Sequence, residues 1–349
     1  MSLKAPFPWF GGKSSVADKV WAALGDVNHY VEPFFGSGAV LLARPHAPAV
    51  ETVNDADGLL SNFWRAIRAD PEAVAHHADW PVSEADLHAR HLWLVGQRDR
   101  LTERLMGDSD FFDVRAAGWW VWGACAWIGS GWCSGEGPWV SQDGVLTDSR
   151  KLPRLSGGQG INRQLPHLGD RGRGINRQLP HLGNPGRGIN RQLPHLSGGQ
   201  GINRKQFIKD WFVALADRLR DVRVACGDWS RVCGPSILRV GGGVCGIFLD
   251  PPYAADERAE VYATETDCAR QVADWCAANG NRPDLRIVLA GYDGEHNRLE
   301  ELGWRVHVWK ANGGYGNTSD GRGRKNTSRE RLWLSPHCFG SKLEFEEAE

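Results

Sequence analysis

The chain of 349 residues has no apolar run long enough to span a bilayer. Its N-terminus also lacks the charged-then-apolar pattern of a secretory signal. Together these absences lead to the expectation of a cytoplasmic protein with no membrane partner. The eight cysteines contain no Cys-x-x-Cys pair, and Cys125, Cys245 and Cys276 sit inside apolar or helical stretches. Reduced structural thiols are therefore expected, in place of disulfides or a zinc site. His88 and His91 can share a helix face, but no carboxylate spacing completes a ligand set, so no metal is expected. An excess of either charge is missing too: the net charge is −1, and a nucleic-acid partner must be judged from where the charges lie. Two nucleotide signatures are incomplete. Gly11-Gly12-Lys13 lacks the preceding glycine and four-residue spacer of a P-loop, and Gly36-Ser37-Gly38 lacks the third glycine of a dinucleotide fingerprint, which argues against NAD.

What is present is a series of short apolar runs that stop at acids. Ile247-Phe248-Leu249 reads as a buried parallel strand ended by Asp250-Pro251-Pro252-Tyr253, since proline has no N–H for a sheet. Those four residues offer a carboxylate, a rigid carbonyl and an aromatic face, a set suited to a flat ring bearing an amino group. Earlier, Tyr30-Val31-Glu32 leads into Pro33-Phe34-Phe35 and the Gly36–Gly38 turn before an apolar helix. Glu51–Asp55 is a second strand with a terminal acid, and Val222–Cys226 is followed by Gly227-Asp228-Trp229. Gly11-Gly12-Lys13 with Ser14-Ser15 reads as a serine-capped helix start, a seat for a carboxylate. Leu59 to about Leu105 has helical periodicity, and 118–133 reads as a buried helix breaking into a glycine-rich loop that ends at Trp132. Later segments read as helices over Ala269–Ala278 and Glu295–Leu302, and as strands over Leu285–Ala290, Trp304–Lys310 and Glu330–Ser335. Seventeen tryptophans are expected to be mostly core.

Alternation of strands and helices implies an α/β fold, a doubly wound, mostly parallel sheet. Glu32, Asp55, Asp228 and Asp250 then lie together at the carboxyl edge, where such sheets bind ligands. S-adenosylmethionine fits that cleft: its carboxylate near Lys13 and the glycine turn, its ribose at Asp55, its adenine by Asp228.

Residues 156–204 are of another kind. Gly160–Leu168 recurs at Gly174–Leu182 and Gly188–Leu196, with a truncated copy from Gly201. Each unit has one Ile and two Leu, with a proline between the leucines, so a long helix is excluded. The array carries seven arginines against one aspartate, +6 within a chain of net charge −1. It reads either as a duplicated linker or as an arm that tracks a nucleic-acid backbone.

Taken in order, Trp9-Phe-Gly-Gly-Lys13, Val31-Glu-Pro-Phe-Phe-Gly-Ser-Gly38, Asn54-Asp55, Cys226-Gly-Asp228 and Asp250-Pro-Pro-Tyr253 resemble the Dam-type family of DNA adenine-N6 methyltransferases. The Asn312-Gly-Gly loop and Glu330-Arg-Leu-Trp-Leu334 resemble that family's last hairpin. The resemblance implies a Rossmann-like methyltransferase domain over 1–65 and 205–337. It leaves 66–155 as a helical target-recognition insertion, 156–204 as a basic repeat insertion and 338–349 as an acidic tail. It implies S-adenosylmethionine as cofactor, bound by Trp9, Lys13, Glu32, Phe34, Gly36, Gly38, Asp55, Asp228 and Asp250. It implies double-stranded DNA as partner, with the target adenine flipped out. Tyr253 would stack on that base, while Asp250 and the Pro251 carbonyl take the two N6 hydrogens. Trp132, Arg163, Arg177, Arg191, Arg322, Arg324 and Lys325 are the candidate DNA contacts. The family also admits a cognate restriction nuclease as partner and a monomer or weak dimer. Open alternatives are an N4-cytosine methyltransferase, a protein-glutamine methyltransferase and a non-catalytic DNA-binding protein. Deletion of residues 157–198 is expected to weaken DNA binding and to flatten its salt dependence. Fluorescence-anisotropy titration across a salt series reads this directly, and an unchanged slope would leave the repeats as linker.

Overall fold

The computed structural model describes residues 3–9, 12–127, 132–133, 139–142, 145–148, 204–252, 263–309 and 329–340. Helix α1 (Ala17–Leu24) leads to β1 (His29–Glu32), the short α2 (Ala39–Leu42) and β2 (Val50–Asp55). There follow α3 (Gly58–Ala69), α4 (Pro71–Ala78), α5 (Glu84–Gly107), α6 (Val114–Ala126), the strand pair β3 (Trp139–Gln142) and β4 (Val145–Asp148), and α7 (Arg204–Leu219). The chain continues through β5 (Arg223–Cys226), α8 (Pro235–Leu238), β6 (Cys245–Leu249), α9 (Ala263–Asn279), β7 (Leu285–Tyr292), β8 (Arg305–Val308) and β9 (Glu330–Leu334).

Seven strands form one sheet in the order β5-β2-β1-β6-β7-β9-β8. β5, β2, β1, β6 and β7 pair in parallel, and β9 runs antiparallel to both β7 and β8. The doubly wound, mostly parallel sheet expected from the sequence is therefore present. Side chains alternate across it with period two. Phe248, Val288, Ala290 and Leu332 join the core that holds α1 and α3, while Ile247, Leu249, Ile287, Leu289 and Trp333 join a second core with Val272 and Cys276 of α9. Helices on both faces explain why these strands read as continuous apolar runs.

The long segment between β2 and β5 is helical because its apolar residues recur at helical spacing and its breaks carry caps. Asp57, Asp70, Ser83 and Asp113 each accept a backbone N–H at the start of α3, α4, α5 and α6. Phe63, Trp64, Val74, Trp120, Phe212 and Leu215 bring α3, α4, α6 and α7 into a single core. Where α7 returns to the sheet, the Arg218 guanidinium donates to both carboxylate oxygens of buried Glu51, at 2.7 and 2.9 Å, and Arg44 donates to the same carboxylate at 3.2 Å. A buried acid this well paired ties α7 to β2 across the insertion.

Many of the tryptophans are core residues, as expected: Trp21, Trp64, Trp122 and Trp333 are fully buried. Arg90 lies over Trp80, Trp119 and Trp122 at 5.3, 5.1 and 4.2 Å from the ring centroids. The eight cysteines are free thiols.

Three local expectations are corrected. Ser14 and Ser15 do not cap α1; its N-cap is Val16, without a side-chain hydrogen bond, because a turn closed by Val16 N–H on the Lys13 carbonyl comes first. The segment expected as a helix over Glu295–Leu302 is a 3-10 helix, Asn297–Leu302, stopped by Gly303 in the left-handed region. The last parallel-direction strand is only Arg305–Val308. Tyr253, Arg163, Arg177, Arg191, Arg322, Arg324 and Lys325 lie outside the described residues, as do the repeats and the acidic tail. Among the described residues no helix is long and apolar enough to cross a membrane.

His29 sits fully buried between β2 and β6, its Nε2 2.9 Å from Thr52 Oγ1. Burial, reinforced by Arg223, lowers its pKa from 6.5 to about 4. The unfolded chain therefore binds the proton more readily, and folded-state stability is expected to fall as pH drops from 6.5 towards about 4. Urea unfolding across that range should show a shallower slope for His29→Asn than for the wild type.

Candidate active site

β1 is the point at which strand order reverses, with β2 on one side and β6 on the other. Open α/β sheets part their connections at such a point and leave a crevice beyond the strand ends. Glu32, Asp55 and Asp250 end, or directly follow, β1, β2 and β6, and so line that crevice.

The end of β2 organises the neighbouring loops. Asn54 Nδ2 donates to the Pro33 carbonyl at 3.0 Å and to the Gly227 carbonyl at 2.9 Å, joining the loops after β1 and β5. Asp55 accepts from the backbone N–H of Gly36 and of Asp57, both at 3.0 Å. Burial outweighs these hydrogen bonds and raises its pKa from 3.8 to about 6. Gly36 adopts φ +49°, and a Cβ there would lie 2.6 Å from Trp9 Nε1. Glycine is required both for its backbone conformation and for the indole lying against it. On the other side, Trp64 Nε1 donates to the Gly36 carbonyl at 3.1 Å. Gly38, at φ +69°, precedes α2.

Beside this turn, the Tyr30 hydroxyl donates to Glu32 Oε2 at 2.9 Å in a fully enclosed setting. Burial raises the Glu32 pKa well above the carboxylate range; Tyr30 opposes the shift and the charge of Asp250 adds to it.

Lys13 is turned inward, 4% exposed, with Nζ 3.0 Å from Asp250 Oδ2 and 3.8 Å from Glu330 Oε2. The acid at the end of the sixth strand thus carries a buried cation against one oxygen. Pro251 is buried and Pro252 exposed, so the chain leaves the sheet directly at the crevice. At the far side Phe34 stacks on Trp229 with centroids 6.3 Å apart and planes at 25°. Exposed Asp228 accepts from Ser230 N–H and so caps the short 3-10 helix Trp229–Val232.

Compared with known families, residues 9–87 match the model described as D12 class N6 adenine-specific DNA methyltransferase. Over that stretch the chain is similar to enzymes that methylate the N6 of adenine in DNA. No curated protein matches it. The matched stretch contains Trp9, Lys13, Glu32, the Gly36–Gly38 turn and Asn54-Asp55, and so covers the β1 and β2 half of the crevice. The acid facing it from β6 comes from more than a hundred and fifty residues further along the chain, and the parallel pairing of β1 with β6 brings the two halves together.

Of the residues singled out in the sequence, the fold brings Trp9, Lys13, Glu32, Gly36, Gly38, Asp55, Asp250 and Pro251 to this edge, with Phe34 and Asp228 at its β5 side. Trp132 does not belong with them. Its indole packs on α6 where Gly123 leaves room, its Nε1 donates to the Trp120 carbonyl at 3.0 Å, and its ring meets Trp127 and His91. Trp132, half-buried, is thus anchored on α6 and away from the strand ends. Glu330 is expected from the sequence as the start of a strand in the last hairpin, with no role in the site. Because β9 is antiparallel, its first residue lies at the carboxyl ends of the parallel strands, paired with Tyr292 of β7. An acid opening an antiparallel strand was the available signal.

Replacing Gly36 by alanine is expected to cost about 1–3 kcal/mol of stability. Urea unfolding measures that loss. Isothermal titration should show weaker methyl-donor binding in the same variant, since Trp9 must give way.

Proposed function

We propose that the methyl donor is S-adenosylmethionine, bound across the ends of β1, β2 and β5, and that Asp250 and Pro251 grip the amino group of an adenine flipped out of DNA. The observation that carries this reading is the position of Asp250-Pro251 at the sheet's switch point, one strand from Glu32 and the glycine turn. The donor set suits such a cofactor. The Gly36 turn, packed under Trp9 and bonded to Asp55, sets a fixed floor for a ligand at the strand ends. Asp55 retains lone pairs for ribose hydroxyls after its two backbone bonds. Half-buried Phe34, backed by buried Trp229, offers apolar ring surface next to the exposed Asp228 carboxylate, where an adenine ring and its amino group would be held. Lys13 supplies a cation at the same edge.

When bound, S-adenosylmethionine supplies an electrophilic methyl group. The protein's part is positioning and electrostatics. A stacked adenine cannot present N6, so the base is flipped at a cost of a few kcal/mol. The Asp250 carboxylate and the Pro251 carbonyl accept the two N6 hydrogens, which turns the nitrogen lone pair towards the donor. Tyr253 follows at once in the sequence and is assigned to stack on the ring.

DNA is the substrate of this class of enzyme. The segment 66–155 and the repeats of 156–204 are assigned to holding it. An arginine in each full unit, Arg163, Arg177 and Arg191, and Arg322, Arg324 and Lys325 near the C-terminal hairpin, give the backbone contacts that phosphate binding needs.

Asp250→Ala is expected to lose methyl transfer by at least about a thousandfold, since both the acceptor and its alignment go. Incorporation of tritiated methyl groups into DNA, with circular dichroism as the check on folding, tests it. Near-normal incorporation would overturn the assignment.

A further inference from the structure

Lys13 presents a problem for the mechanism just given. Its ammonium lies against Asp250 Oδ2 at 3.0 Å, on the carboxylate that has to receive the adenine amino group. A carboxylate held by a cation is a weaker acceptor for a neutral N–H, because its charge is already partly compensated. Lys13 cannot carry its charge to water, being 4% exposed, and a buried charge without a partner is costly.

Glu330 answers both requirements. Its Oε2 is 3.8 Å from the same ammonium, an ion-pair contact too long for a hydrogen bond, and among the described residues that oxygen has no hydrogen-bond donor. The residue is 8% exposed and is held in the sheet by pairing with Tyr292 across β7 and β9. Burial and the nearby charge of Asp250 raise its pKa, while Lys13 lowers it. The two carboxylates thus compete for one cation, and a shift of the flexible lysine side chain by about an ångström exchanges its closer partner.

We propose that Glu330 is a positioning residue that draws Lys13 off Asp250 as the adenine amino group arrives. The inference rests on the reading of Asp250 as the N6 acceptor. Glu330 touches neither substrate nor donor; it acts through Lys13, keeping the cation paired while Asp250 turns its acceptor capacity to the base. A cation left with Asp250 alone would hold that acid in its resting state.

The test compares single-turnover methylation by the full-length enzyme, the Glu330→Gln and Glu330→Asp variants, Lys13→Gln, and the Lys13→Gln/Glu330→Gln double variant. Glu330→Gln should slow the methyl-transfer rate about tenfold, with KM for DNA and for S-adenosylmethionine changed by less than about twofold. Glu330→Asp should recover much of the rate, which also covers the case in which the amide variant folds poorly. In the Lys13→Gln background, Glu330→Gln should cost nothing further, because no cation remains to be drawn away. Equal losses in both backgrounds, an unchanged rate, or an effect confined to KM would overturn the proposal. Asp250→Ala in the same series separates the two failures. Activity in that variant removes the underlying reading, whereas its inactivity together with additive Lys13 and Glu330 effects removes only the role of Glu330.

Discussion

Two adjacent side chains at the end of β2 hold the site together. Asn54 donates to carbonyls of the loops after β1 and β5, and Asp55 accepts from the N–H groups of Gly36 and Asp57. Backbone bonds run alongside them, from Phe35 N–H to the Asn54 carbonyl and from Gly227 N–H to the Asp55 carbonyl. Three loops that would otherwise need their own partners are satisfied by one dipeptide, which shapes the floor of the crevice. A ligand entering there meets preset backbone groups and pays little to order them.

The electrostatics of the crevice follow from how many acids it gathers. Glu32, Asp55, Asp250 and Glu330 meet at one sheet edge with Lys13 among them. Burial pushes the Glu32, Asp55 and Glu330 carboxyls towards their neutral forms. Such an arrangement is costly for stability and is typical of functional sites. The surrounding core makes it tolerable: the aromatic cluster of Phe7, Phe63, Trp64 and Trp120 lies directly behind Trp9 and the glycine turn.

Much of this edge was legible without coordinates because strand ends leave chemical punctuation. Asp250-Pro251-Pro252 stops a strand since proline cannot continue the ladder, and Gly36 and Gly38 mark a backbone that ordinary residues rarely adopt. The packing of Trp132 is not legible in the sequence, because a tryptophan in a glycine-rich loop looks like a contact surface in one dimension. Only the packing of α6 shows that Gly123 leaves a slot for it. Asp228 was placed at the right edge, yet its role as the cap of a short 3-10 helix depends on the turn after β5, for which an isolated Gly-Asp-Trp carries no distinctive signal.

Local chemistry along the chain determined the strand ends, the glycine turn, the reduced thiols and the acid-proline-proline step. Each arises from the dihedral limits or hydrogen-bonding capacity of neighbouring residues, and so survives in a linear reading. The tertiary structure alone decided that Lys13 turns inward to Asp250, and that Glu330, at the head of an antiparallel strand, arrives beside them. Those contacts span hundreds of residues and depend on strand order and direction, which no local pattern encodes.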